Sequence, residues 1–140
     1  MKLEDITAFT IHSSDPPCPT DSIEEFKNRY VDVPNEYLEL ISSATELELS
    51  HACGAYLRIY GMADAIDMDE GYSISDNLEG AVPIGDDGNS RAVFYWRGNK
   101  GSGAHLHSCD SMFPEDVIFV APSLVSLVKD GVGAENLLLD

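Results

Sequence analysis

The chain has 140 residues, with 25 acidic and 8 basic side chains and a formal charge of −17. That length suits one domain with its own core, and an apolar share of 44% argues against disorder. The charge repels phosphates, so nucleic acid and anionic membranes are disfavoured as partners and a basic surface is favoured.

Residues 1–20 read as a leader in which Ile6, Phe9 and Ile11 form a short edge strand or a packed segment. It ends in the Pro-rich linker Ser13-Ser-Asp-Pro-Pro-Cys-Pro-Thr20. The single domain then runs over 21–140. Ser22-Ile-Glu-Glu25 has the pattern of a capping box, and Ile23, Phe26 and Tyr30 follow at helical spacing. Pro34 suits the first turn of a second helix whose buried stripe is Tyr37, Leu38 and Ile41, ending near Ser42 and Ser43.

From Cys53 the pattern turns to strands. Tyr56-Leu-Arg-Ile-Tyr60 reads as a strand closed by Gly61, while residues 63–68 fit either a helical turn or extended chain. In residues 81–96 an apolar run enters Gly85-Asp-Asp-Gly-Asn89 and leaves as Val93-Phe-Tyr-Trp96, which predicts a β-hairpin with an acidic tip. Gly98-Asn-Lys-Gly-Ser-Gly103 is a looser turn, with further strands at 104–109 and 117–120. Residues 121–130 predict a last helix, with Pro122 in its first turn, Leu124, Leu127 and Val128 inward and Gly131 closing it. Helices, then strands, then a helix give an α+β class: a mostly antiparallel, twisted sheet packed by the N-terminal helices and the C-terminal helix on one side.

The acids are segregated. Between Tyr30 and Ser90 stand thirteen of them (Asp32, Glu36, Glu39, Glu46, Glu48, Asp64, Asp67, Asp69, Glu70, Asp76, Glu79, Asp86 and Asp87) against one base, Arg58. Acidity alone serves solubility. Its concentration in one stretch points further, to a counter-charged partner.

Met1-Lys-Leu-Glu-Asp5 lacks the apolar run of a signal peptide, and three cysteines at scattered spacings do not make a disulfide framework. The expectation is a cytoplasmic protein with reduced thiols, off the membrane and a monomer or weak dimer. His105, His107 and Cys109 share one strand face at i, i+2 and i+4, a possible metal set that His51 and Cys53 would complete. The ordinary reading is a polar strand face with incidental histidines and a buried thiol, and no cofactor is expected. Asp67-Met-Asp-Glu-Gly71 misplaces the glycine of a calcium loop and has Leu78 where the closing Glu belongs, which leaves an acidic solvated loop. Lys100 among its glycines lacks a phosphate-loop context, and no nucleophile motif surrounds any serine or cysteine. Asp86 and Asp87 read as exposed turn acids.

The ordered motifs resemble the SUKH superfamily, named for yeast cell-wall-synthesis regulators and their bacterial relatives. They are Ser22-Ile-Glu-Glu-Phe-Lys27, Val33-Pro-Asn-Glu-Tyr-Leu-Glu-Leu-Ile41, Leu57-Arg-Ile-Tyr-Gly61, the Ile84-Gly-Asp-Asp-Gly88 hairpin and Phe119-Val-Ala-Pro-Ser-Leu-Val-Ser-Leu-Val128. Residues 42–54 are longer than the turn the family has there. The resemblance implies a non-enzymatic immunity protein that neutralises a cognate toxin, often a basic nuclease, of a bacterial polymorphic or contact-dependent system. The alternatives are a regulatory or scaffold module and a metal-binding protein. The face expected to meet the toxin is Asp64, Asp67, Asp69, Glu70, Asp86 and Asp87.

Overall fold

The computed structural model describes residues 1–109 and 113–138. Seven strands lie side by side in chain order: β1 (Phe9–Asp15), β2 (Thr45–His51), β3 (Tyr56–Ile59), β4 (Val82–Asp86), β5 (Arg91–Gly98), β6 (Gly101–Ser108) and β7 (Ile118–Ala121). Every neighbouring pair is antiparallel. The helices are α1 (Thr20–Arg29) and α2 (Asn35–Ile41) between β1 and β2, α3 (Met62–Tyr72) and α4 (Ile74–Asn77) between β3 and β4, and α5 (Leu124–Asp130) after β7. The protein is a single-domain α+β fold on an antiparallel sheet, the predicted class.

The register sets two chemically different rows, one residue apart. Leu47, Ile59, Gly85, Val93 and Leu106 stand opposite one another across β2 to β6. Adjacent to them in sequence, Glu48, Arg58, Asp86, Ala92 and His107 do the same. Since alternate residues of a strand point to opposite faces, one face is apolar and the other starts polar. The apolar face packs under Phe26 of α1, Tyr37, Leu40 and Ile41 of α2, and Leu124, Leu127 and Val128 of α5.

The polar face is not left bare, contrary to the one-sided packing expected. Towards β5 and β6 it turns apolar, and Ala92 and Phe94 pack with Ile74 of α4, Leu78 just after it, Ala81, Cys109 and Val117 in a second, smaller cluster. The helix content of residues 62–77 decides this: residues 63–68, left open between a helical turn and extended chain, are helical, and the stretch from Asp67 expected to be an acidic loop is taken up by α3 and α4.

Several boundaries differ from the pattern reading. The leader forms the edge strand expected of it, β1 on β2 with Ile6 and Phe9 buried, but that strand runs on to Asp15, into the segment read as a Pro-rich linker. Helix α1 starts two residues before Ser22, because the Pro19 carbonyl already accepts the Ile23 N–H at 3.1 Å. Pro122 precedes α5, whose cap is Ser123, its hydroxyl accepting the Ser126 N–H at 3.0 Å. The 98–103 segment is a tight hairpin, with Gly98 facing Gly101. Strand β2 fills the region with no predicted element, and its opening residue pattern, Glu46-Leu47-Glu48-Leu49, alternates as a half-buried strand should.

Candidate functional site

The β4–β5 hairpin builds its own tip. Gly88 has φ of +79°, a left-handed conformation that glycine adopts without strain. Its N–H donates to Asp86 Oδ1 at 2.8 Å. Asp87 Oδ1 accepts the Asn89 N–H at 2.9 Å and the Arg91 N–H at 3.2 Å, and Asp87 Oδ2 pairs with Arg91 Nε at 2.6 Å. The far end of Arg91 donates to the carbonyls of Leu137 and Leu138, at 3.2 and 3.1 Å, which ties the C-terminal segment to the hairpin.

This corrects the reading of both turn acids as solvated. The Asp87 side chain is 0% exposed and structural. Asp86 is half-buried and accepts the Tyr60 hydroxyl at Oδ2. Burial first, and then that hydrogen bond to a carboxylate, push the Tyr60 hydroxyl well above the usual phenol range. Gly85 serves no turn. A Cβ there would lie 1.9 Å from the Arg58 carbonyl oxygen, so its hydrogen is what lets β4 approach β3.

Beside the hairpin, on the polar face of the sheet, lies a groove of ≈ 890 Å³ lined by Tyr56, Arg58, Met68, Tyr72, Asp86 and Leu138 among others. A neighbouring hollow of ≈ 340 Å³ shares Arg58, Met68 and Tyr72 and adds Tyr60, Asp64 and Asp67. The two make one continuous surface between the hairpin and α3. Arg58 sits at their junction. Its Nη2 pairs with Glu46 at 2.9 Å and Asp64 at 3.4 Å, and its guanidinium lies 5.4 Å from the Tyr60 ring centre.

Glu46 has φ of +50°, rare for a residue with a side chain, and its two oxygens are both committed, Oε1 to the Gly61 N–H at 2.8 Å and Oε2 to Arg58. Burial and then the neighbouring Asp64 raise its carboxyl above the ordinary value. Glu48 goes the other way. The hydroxyls of Ser13, at 2.8 Å, and Tyr56, at 3.0 Å, donate to it and hold it lowered. Together these groups leave Asp67 as an exposed acid and Tyr72 as an exposed aromatic, 47% accessible, on the rim.

Of the six acids expected on a partner face, Asp64, Asp67, Asp86 and Asp87 line this surface. Asp69 and Glu70 do not. Asp69 lies one helical turn after Ala65 on the buried side of α3 and accepts from the Tyr30 hydroxyl at 2.6 Å, the Ser75 N–H at 2.7 Å and the Ser75 hydroxyl at 2.8 Å. Glu70 pairs with Arg29 of α1 at 3.1 Å. Sequence reasoning missed Glu46, Glu48, Tyr56, Tyr60 and Tyr72; the alternation in β2 was the signal for the first two.

The metal set does not assemble. His105 Nδ1 bonds the Gly103 carbonyl at 2.9 Å, and its ring lies among Phe94, Trp96 and Phe119. The His107 ring is engaged locally, Nε2 accepting the Phe113 N–H at 3.1 Å, and Cys109 lies beyond the end of β6 in the second apolar cluster. His51 ends β2 and Cys53 lies in the turn that follows, where His51 Nδ1 accepts the Cys53 N–H at 3.0 Å. Among the described residues no three metal-ligating side chains come together, and no helix is long and apolar enough to cross a membrane. Comparison of the sequence with protein-family models and with curated proteins gives no match.

Proposed function

We propose that this protein is a non-enzymatic immunity protein of SUKH type, which binds a basic, nuclease-type toxin and covers its phosphate-binding face. The observation that carries the reading is the groove beside the hairpin: aromatic and aliphatic walls, with Asp64, Asp67 and Asp86 around Arg58, in a chain of charge −17. Tyr72 and Leu138 offer the apolar anchors an interface needs, and the acids at the rim steer a cationic partner towards them. The order of helices, hairpin and closing helix supports the family resemblance, and Asp86 and Asp87 enter this reading as the frame of the groove rather than its contact points.

Co-expression with the polypeptide encoded in the adjacent reading frame tests it. The expected result is a stable complex that weakens as salt rises, and growth rescue in cells making that polypeptide. A complex without toxicity to relieve indicates a regulatory or scaffold role instead. Neither complex nor rescue overturns the reading.

A further inference from the structure

Glu46 ties three elements together. It stands near the start of β2, its Oε1 accepts the Gly61 N–H at the start of α3, and its Oε2 pairs with Arg58 of β3. Its φ of +50° is a conformation that residues with side chains keep where their surroundings over-determine it, switch regions among them. The side chain is 17% exposed, and it lines a hollow of ≈ 290 Å³ with Pro17, Cys18, Thr45 and Gly61. Arg58 and Asp64 instead line the surface beside the hairpin.

One guanidinium nitrogen serves two carboxylates. Arg58 Nη2 donates to Glu46 Oε2 at 2.9 Å and to Asp64 Oδ2 at 3.4 Å. Asp64 is also within hydrogen-bonding reach of Glu46. Two carboxylates so placed repel when both are ionised, and a single shared cation offsets only part of the cost. Burial, and then Asp64, raise the Glu46 carboxyl above its ordinary value. The other groups around it bring no second positive charge. Tyr37 of α2 is held neutral by burial and donates to the Tyr60 carbonyl at 2.6 Å. Cys18 is on the hollow, Glu48 is turned to Ser13 and Tyr56, and Asp86 of β4 draws on the same Arg58.

We propose that Glu46 is a pH-sensitive latch: when it takes up a proton from solvent, its hydroxyl turns to Asp64 and Arg58 is released towards the groove. The proton rests on Oε2, the oxygen that faces Arg58. Oε1 still accepts the Gly61 N–H, so the start of α3 keeps its partner. Arg58 exchanges Glu46 for Asp64, and the groove gains a positive group. The step does not unfold the protein. A carboxyl raised on folding contributes stability that is complete below the ordinary 4.5 and is lost as pH rises through the native value. If the groove is the toxin interface, binding weakens as pH falls. That consequence rests on the interface reading, whereas the latch does not.

The test follows two signals of the whole protein, the Glu46 carboxyl carbon and the Arg58 guanidinium nitrogen, as pH is lowered from about 7 to about 4. Glu46 is expected to titrate with a midpoint above 4.5, and Arg58 to shift with that same midpoint. Asp64→Asn removes the competing carboxylate and should bring the Glu46 midpoint down. Glu46→Gln imitates the protonated state and should hold Arg58 at its acid-side signal throughout. A Glu46 midpoint at or below 4.5, an Arg58 signal that does not follow it, or a midpoint that Asp64→Asn leaves in place would overturn the latch. These need no toxin, and the titration of the unaltered protein decides should Glu46→Gln fail to fold. Toxin binding that ignores pH while Arg58 follows Glu46 would count against the interface reading alone.

Discussion

Asp87 and Arg91 close the β4–β5 hairpin through a 2.6 Å ion pair in which the carboxylate is fully covered and the guanidinium reaches on to the carbonyls of Leu137 and Leu138. The pair therefore joins two segments far apart in the chain, and removing either partner strands the other. Asp87→Ala should lower stability by about 3 kcal/mol, as for a buried pair broken on one side. Urea denaturation measures this. A loss below about 1 kcal/mol, the worth of an exposed pair, would mean that the tip is solvated after all.

A second prediction concerns the short joint between β3 and β4, whose register pairs Arg58 with Asp86 and Ile59 with Gly85. Gly85→Ala places a methyl group 1.9 Å from the Arg58 carbonyl oxygen, which backbone cannot yield without parting the strands. The expected cost is about 2–3 kcal/mol, as for overpacking in a close-packed interior. Amide exchange should quicken first at Tyr60, whose N–H donates to the Ile84 carbonyl at 2.9 Å. Wild-type exchange there would refute the close approach.

The Tyr30 hydroxyl donates to buried Asp69, and burial followed by that bond pushes its pKa from 10.0 up to about 12. A pKa raised on folding favours the protonated phenol in the native state. Its stabilisation is complete below pH 10 and is lost as pH climbs through about 12. Thermal melts across that window should show a steep fall in Tm that Tyr30→Phe makes shallower. Tyr60, raised further, is expected to remain protonated to higher pH than Tyr30. Phenolate absorbance that rises near pH 10 for all six tyrosines would contradict the assignment.

The interface reading is best tested at the acids of the rim. Asp67 is exposed, and Asp64, beside Glu46, pairs with a half-exposed Arg58 at 3.4 Å. Asp64→Lys with Asp67→Lys should slow association with the neighbouring toxin about tenfold at low salt, with a flatter salt dependence and little change in Tm. Reversal at Asp87 is the wrong probe, since it unseats the hairpin. An unchanged association rate would move the interface off this groove.

Local pattern was enough for the elements whose residues answer to near neighbours. Ile23, Phe26 and Tyr30 at helical spacing marked α1, glycine in a left-handed turn marked the β4–β5 hairpin, and Leu124, Leu127 and Val128 before Gly131 marked α5. The α+β class followed from their order. What stayed hidden depends on partners brought from elsewhere in the chain. Asp69 reads as one acid among many until Tyr30, 39 positions away, comes within 2.6 Å. The same holds for Glu46, fixed by Arg58 and Gly61, and for Asp87, whose partner Arg91 is itself held by the carbonyls of Leu137 and Leu138. Composition by itself determined that the surface is strongly acidic. Only the tertiary structure decided which acids are free to meet a partner, because burial and pairing, unlike charge, belong to the arrangement of strands and helices rather than to any one residue.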